Sequence, residues 1–203
     1  MIITISRQLG SAGRSIARIV AEHYGITVYD KKLIQLAAQQ SGLGEQYFKD
    51  ADEHVSRSFL HFLFGSRGDT SHHAESPLSN DALFKVQSDV IRDIASRESC
   101  VLLGRCADYI LRDRDDLIRI FICADDEDRL ARYAKHDGIS TDEARPILTK
   151  SDSRRSAYYN YYTQRTWGQA DNYDLCINSS RLGIEGTAAT IIRYIDEKNR
   201  SAE

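Results

Sequence analysis

The stretch Ile2-Ile3-Thr4-Ile5-Ser6-Arg7-Gln8-Leu9-Gly10-Ser11-Ala12-Gly13-Arg14-Ser15-Ile16-Ala17-Arg18-Ile19-Val20 changes character twice. Ile2 to Ile5 is a β-branched run that suits a strand. Gly10, Ser11, Ala12 and Gly13 form a small-residue loop, and Ile16, Ala17, Ile19 and Val20 then recur at helical spacing. Strand, small-residue loop and helix in that order wrap successive backbone N–H groups around an anion and aim a helix N-terminus at it.

The usual phosphate-binding form of this order is GxxxxGK[S/T], in which the lysine reaches the β- and γ-phosphates and the hydroxyl meets Mg²⁺. Gly13-Arg14-Ser15 matches the end of that pattern, but the first glycine falls on Gln8 and the lysine has become Arg14. Arginine is always charged and offers a planar fork, so it can pair with phosphate oxygens, although it is bulkier than an ammonium. The plainer alternative is a glycine turn between a core strand and a helix, with Arg14 and Arg18 on a solvated face.

With 203 residues, 41% hydrophobic and 28% charged, the chain has the composition of a globular protein with a full core, and one domain is expected. A net charge of only −3 argues against a nucleic acid polymer as partner, so any anion site must be a local cluster of arginines. The first residues lack a cationic region followed by an apolar one, and no run approaches the ~20 apolar residues of a membrane span. A cytosolic protein without membrane contact is expected. Cys100, Cys106, Cys123 and Cys176 show no CxxC spacing, which predicts buried free thiols.

Further along, Ile26 to Tyr29 reads as a second strand ending on Asp30, a position suited to capping the next helix and also on the rim where open α/β sheets bind ligands. Leu33, Ile34, Leu36 and Ala37 continue at helical spacing. Residues 46 to 64 form a second helix with an aromatic stripe that is either core or the surface of a homodimer. Residues 65 to 77 are a long polar loop, a flap or a disordered tip, whose His72-His73 lacks partners at metal-ligand spacing. A helix from about Asn80 to Arg97 leads into Cys100-Val101-Leu102-Leu103, a run typical of buried parallel strands, followed by Gly104-Arg105-Cys106-Ala107-Asp108. Leu117 to Cys123 is another strand, and Asp125, Asp126, Glu127 and Asp128 favour the positive end of the helix after it. Tyr173 to Asn178 is the fifth strand, and Ile184 to Ile195 a closing helix. Alternating strands and helices imply an α/β fold with a parallel sheet covered on both faces.

Between the last two strands lie Lys150, Asp152, Arg154, Arg155, Tyr158, Tyr159, Tyr161, Tyr162, Arg165 and Trp167. Cations outside the sheet can close over a triphosphate as a lid and stabilise charge as it shifts between oxygens. The tyrosines occupy helical positions that pack such a lid against the body.

Taken together, these stretches resemble the cytidylate kinase-like family, a branch of the P-loop nucleoside monophosphate kinases. The similarity runs through Ile3-Thr4-Ile5-Ser6-Arg7-Gln8 with Gly10 and Gly13-Arg14, Tyr29-Asp30-Lys31-Lys32-Leu33-Ile34, Gly104-Arg105 with Ala107-Asp108-Tyr109-Ile110-Leu111, and Tyr158-Tyr159-Asn160-Tyr161-Tyr162-Thr163 through Trp167-Gly168 to Asn172-Tyr173-Asp174-Leu175. The resemblance implies a three-layer P-loop NTPase fold whose five parallel strands follow the order 2-3-1-4-5. It implies a core of residues 1–30, 98–137 and 172–203, a helical acceptor-binding insertion at about 31–97 and a short lid at about 138–171. It further implies that Gly10, Ser11, Ala12, Gly13, Arg14 and Ser15 hold the phosphates of ATP, with Ser15 on Mg²⁺. Asp30, Arg105, Arg132, Asp152 and Arg155 would serve the acceptor, and Arg14, Arg132, Arg154 and Arg155 the transferring phosphoryl group.

The implied reaction is phosphoryl transfer from Mg·ATP to a nucleoside monophosphate, CMP or dCMP first. Three departures stand out: Arg14 for the P-loop lysine, Gln8 for a glycine, and Cys106 for the aspartate of the family's GRD motif. They keep two alternatives open, a nucleotide-binding regulatory module with weak catalysis and a P-loop kinase acting on a small non-nucleotide metabolite.

Overall fold

The computed structural model describes residues 1–30 and 77–201. It divides the chain into two compact units, Met1–Asp30 with Glu98–Glu203, and Lys31–Arg97. The expected helices over 31–64, the loop with His72-His73 and the aromatic stripe lie outside the described residues.

In the first unit β1 (Ile2–Arg7), α1 (Gly13–Tyr24) and β2 (Thr27–Tyr29) come first. The second unit contributes helix α2 (Pro77–Arg97). The first unit then resumes with β3 (Cys100–Leu103), the short α3 (Ala107–Ile110), β4 (Leu117–Cys123), α4 (Asp126–Asp137), α5 (Thr141–Thr163), β5 (Leu175–Asn178) and α6 (Ser179–Arg200). The helix expected from about Asn80 starts at Pro77 instead, because a proline at the first helical position gives up an N–H that has no intrahelical partner anyway. The closing helix is longer than its apolar stripe. It begins at Ser179, and Gly183 breaks it with φ 68° and ψ −172°, a backbone conformation open in practice only to glycine.

All strand pairs are parallel, in the order β2-β3-β1-β4-β5. The family's implied strand order is therefore the observed one. Ile3 and Ile5 of β1, Val101 and Leu103 of β3, and Ile118, Ile120 and Ile122 of β4 pack on Ile16, Val20, Ile191 and Ile195 from α1 and α6. Each such side chain contributes roughly 1.5–3 kcal/mol of burial. On the opposite face of β4, Phe121 meets Trp167 at 5.3 Å and Tyr173 at 5.1 Å between ring centroids. The thiols are all free: Cys100 and Cys106 are buried as expected, Cys123 is half-buried, and Cys176 is exposed on the edge strand β5. Among the described residues no helix is long and apolar enough to cross a membrane.

The topology also decides where a ligand can sit. From β1 the chain departs toward β2 on one side of the sheet, whereas from the adjacent β4 it departs toward β5 on the other. A crevice opens beyond the carboxyl ends of strands whose connections diverge in this way. Residues 8–12 follow β1 and residues 124–125 follow β4 at those ends, and residues 104–106 lie at the carboxyl end of β3, the other neighbour of β1.

The edge strand is locked by Asp174, whose carboxylate accepts from the Arg119 backbone N–H at 2.8 Å and from the Arg119 guanidinium at 2.7 Å, with Lys198 Nζ 3.5 Å away. Burial pushes this carboxyl up, but the Arg119 hydrogen bonds and the charges of Arg119 and Lys198 outweigh it and hold it below the usual range. A carboxyl depressed in the folded state stabilises the protein above its unfolded pKa, and that contribution is lost as pH falls through the folded value. Asp174→Asn is therefore expected to cost about 1–3 kcal/mol at pH 7 in urea denaturation. The gap to wild type should narrow as pH drops below about 4.

Candidate functional site

The loop from Gln8 to Ala12 is held from several directions. Gln8 donates its backbone N–H to Ile122 O and accepts from Ala124 N–H through its side-chain carbonyl at 3.2 Å, so the residue in the place of the motif's first glycine fastens the loop to the end of β4. Ser11 is fully buried; its hydroxyl donates to Gln8 O at 2.9 Å, and its own carbonyl accepts from Ser179 Oγ at 2.8 Å. Leu9 packs into the small cluster of Leu130, Ala134, Ala144 and Leu148 between α4 and α5.

Two residues in this loop need a left-handed backbone, Gly10 at φ 80° and Ala12 at φ 59°. A Cβ on Gly10 would stand 2.6 Å from Arg129 O, so only glycine permits α4 to come this close. Ala12 has a Cβ and bears a conformational cost of roughly 1–2 kcal/mol at the cap of α1.

The principal brace is Arg129, which is 7% exposed. Its Nε donates to Leu9 O at 2.8 Å, its Nη1 to Asp126 at 2.9 Å, and its Nη2 to Asp152. The other carboxylate oxygen of Asp152 accepts from Leu9 N–H at 2.9 Å. Arg132, one turn further along α4, donates to Gly10 O at 3.2 Å. Asp152, expected at the acceptor, thus has both oxygens committed to the loop and its brace.

Arginines from separate segments gather beside this loop. Arg7 ends β1; Arg155 of α5 donates to Arg7 O at 2.7 Å; Arg105 follows β3 and lies 5.5 Å from the ring centroid of Tyr158. Burial, and then the charges of Arg155, Arg105 and Arg14, draw the Arg7 guanidinium down to about 9, against the pull of Asp30. Arg155 is also lowered, by burial and by Arg105 and Arg129, with Asp152 opposing. The charge of Arg105 thus opposes both of these guanidiniums, and perturbed groups of this kind occur in functional sites and in structural charge networks alike. Arg14, 59% exposed, pairs with Asp30 at 2.7 Å. Arg154 is exposed and makes no hydrogen bond or ion pair among the described residues. Ser15 is exposed on the first turn of α1, and its hydroxyl has no partner among the described residues.

Arg105 sits in an unusual turn. Gly104, Arg105 and Cys106 have φ 69°, 59° and 56°, and Ala107 N–H closes the turn on Gly104 O. The two residues with a Cβ each carry roughly 1–2 kcal/mol of strain, a cost that concentrates at functional sites. Next to the turn, buried Asp108 accepts from Tyr159 of α5 at 2.7 Å, so the helix bearing Arg155 is tied to the turn bearing Arg105. Burial raises both groups, Asp108 and the Tyr159 hydroxyl.

The model of the cytidylate kinase-like family matches residues 2–181, which carry all of these groups. The chain belongs to the cytidylate kinase-like family. A cytidylate kinase from Pyrococcus horikoshii is 26% identical over 202 residues, covering 97% of this chain and 88% of the relative. A solved structure of an uncharacterized protein from Eubacterium ventriosum superposes with TM-score 0.74 at 28% identity, over 97% of this chain and 98% of that one. A shikimate kinase from Bacteroides thetaiotaomicron, 12% identical with TM-score 0.51 over 97% and 98% of the two chains, shares the fold alone.

The chain's membership in this family rests on residues that were visible in the sequence, but two residues of the site were not singled out there. Arg7 lies just beyond the Ile2–Ile5 run that reads as the strand and belongs to no phosphate-binding motif, although a cation at a strand's carboxyl end is itself a signal. Arg129 was hidden in a charged helix, and only its i+3 relation to Arg132 hinted at a shared face toward the loop.

The brace yields a stability test. Asp152→Ala leaves a buried guanidinium whose remaining charged partner, Asp126, is exposed and orphans the Leu9 N–H, so a loss of about 3–5 kcal/mol is expected in denaturant unfolding. Asp126→Ala removes only the exposed member of the brace and should cost less than about 1 kcal/mol.

Proposed function

We propose that the chain transfers the γ-phosphoryl group of Mg·ATP to a nucleoside monophosphate, CMP or dCMP first. The observation that carries this reading is the crowding of like charges around Arg7: cations from α1, from the turn after β3 and from α5 act on one guanidinium beside a phosphate-type loop. Relatives named cytidylate kinase over nearly the whole chain support the nucleotide as acceptor.

In this reading Gly10 to Ser15 cradle the donor phosphates with backbone N–H groups at the start of α1. Asp30 and Arg105 hold the acceptor, and Arg14, Arg132, Arg154 and Arg155 surround the γ-phosphoryl group. Asp152 acts through Leu9 and Arg129 by holding the loop in shape. An oxygen of the acceptor's phosphate attacks the γ-phosphorus in line, the bond to the β–γ bridging oxygen breaks, and ADP leaves with that electron pair. No general base is needed, because a phosphate monoester is already anionic at neutral pH. The protein's share is positioning and charge stabilisation.

Among the described residues no cluster of carboxylates, cysteines and histidines could cage a metal. That suits Mg²⁺, which keeps several waters and binds largely through substrate phosphates, so that one protein oxygen suffices. The uncommitted hydroxyl of Ser15 is the group that would hold it. Held there, Mg²⁺ would supply positive charge that offsets the negative charge developing on the transferring phosphoryl group.

One observation favours a second reading, a nucleotide-binding regulatory module: Arg14, at the motif's lysine position, is turned to Asp30 and largely exposed. A coupled assay with Mg·ATP against CMP, dCMP, UMP and AMP separates the two. Turnover with CMP or dCMP is expected; a raised melting midpoint with ATP but no turnover would favour the regulatory reading. Arg155→Met should lower kcat by ~10³-fold, since cations at the transferring phosphoryl group are worth that much or more.

A further inference from the structure

We propose that Arg7, at the end of β1, is a catalytic residue that grips the transferring phosphoryl group and stands in for the missing P-loop lysine. The assignment rests on the reading of the chain as a phosphoryl-transfer enzyme and names a group in that site which neither the motif nor the relatives assign.

The backbone is shaped to make room for this side chain. A Cβ on Gly13 would lie 2.8 Å from Arg7 Cβ and 2.9 Å from its Cγ. A Cβ on Gly104 would lie 2.6 Å from Arg7 Nη1. Two glycines from distant parts of the chain thus border one arginine, one along its stem and one at its head. The first opens α1, so Arg7 occupies the space that any side chain at residue 13 would need. The strand's last residue thus places a cation beside the start of α1, next to the motif's lysine position.

The head group is also uncommitted. Although half-buried, the Arg7 guanidinium makes no hydrogen bond or ion pair among the described residues. Only its backbone carbonyl is engaged, by Arg155. A guanidinium has five N–H donors in a fixed fork and no acceptor, and leaving them unmet in a partly dry site is costly. Its charged neighbours Arg155, Arg105 and Arg14 worsen that cost, and Asp30, the opposing charge, is already paired with Arg14. A tetrahedral phosphoryl oxyanion with two oxygens toward the fork satisfies the donors and the charge together. A structural arginine would show the opposite pattern, as Arg129 does with partners on all three guanidinium nitrogens.

The two roles differ in what removal does to the empty protein. Arg7→Met keeps the stem that packs on Gly13 and deletes the charge. The melting midpoint without ligand should stay at or above that of wild type, whereas inorganic tripolyphosphate should raise the midpoint of wild type and of the exposed control Arg18→Met but not of Arg7→Met. With Mg·ATP and CMP, kcat of Arg7→Met should fall by ~10³-fold. A lowered ligand-free midpoint together with a preserved tripolyphosphate response would overturn the assignment, as would turnover within threefold of wild type. Should Arg7→Met not fold, Arg7→Gln, which keeps the Cβ and Cγ that border Gly13 and one N–H₂ donor group but is shorter and uncharged, is read by the same criteria. If Arg7→Met loses the tripolyphosphate response while wild type phosphorylates no nucleoside monophosphate, Arg7 stands as an anion ligand and the kinase reading falls. If wild type phosphorylates CMP and Arg7→Met does so equally well, the kinase reading stands and the role of Arg7 falls.

Discussion

A single carboxylate holds the shape of the loop after β1. Asp152 accepts from the Leu9 amide with one oxygen and from Arg129 with the other, and Arg129 in turn donates to the Leu9 carbonyl. Both polar groups of one loop residue are thereby satisfied by two helices, α4 and α5, that are far from it in sequence. The arrangement is a buried ion pair whose lone pairs and protons are met by further hydrogen bonds, the condition under which such a pair offsets its desolvation. With Leu9 pinned, Gly10 can approach the α4 backbone and Ala12 can hold its left-handed cap. The chain's own contacts thus set the loop's shape, and the proposed reaction would rely on such preorganisation.

The cations around the loop obey a different logic. Arg129 is satisfied and braces; Arg7 and Arg155 are both lowered by burial and by the charge of Arg105, and Arg7 also by that of Arg155. Strain accompanies them, since Arg105 and Cys106 both adopt left-handed backbone in consecutive positions. Repelling charges and a strained turn both oppose folding, and natural proteins keep such features where function requires them. The Asp108–Tyr159 hydrogen bond ties the strained turn to the arginine-bearing helix. In the proposed reaction that tie would help hold Arg105, at the acceptor, in register with Arg155, at the γ-phosphoryl group.

Much of this architecture was legible in the sequence because its elements are strongly patterned. The β-branched opening run, the apolar Cys100–Leu103 segment and the alternating helices state a parallel sheet without help from tertiary contacts. Elements set by tertiary detail were not legible. The helix at Pro77 began earlier than its apolar spacing, and α6 began before its stripe, at Ser179, whose hydroxyl holds Ser11 O. For the site, Arg105 and Arg155 are visible as charges at a strand end and on a helix between the last two strands; Arg155 bonds to the Arg7 carbonyl, and the charge of Arg105 acts on the Arg7 guanidinium. Arg154, adjacent to Arg155 in sequence, is exposed, because neighbouring residues on a helix point about 100° apart. The difference between a bracing arginine and an uncommitted one is invisible in a string of letters. It depends on which carboxylates the fold brings near.

The central claim is that an anion belongs among these guanidiniums, beside the loop that Asp152 holds. The most direct measurement is a crystal structure of the full chain with Mg²⁺, a non-hydrolysable ATP analogue and CMP. The account predicts density for the analogue's β- and γ-phosphates along Gly10 to Ser15, with the γ-phosphoryl group in contact with the head groups of Arg7 and Arg155 and the phosphate of CMP in contact with that of Arg105. Phosphates bound away from this loop, or a γ-phosphoryl group that none of those head groups touches, would contradict it.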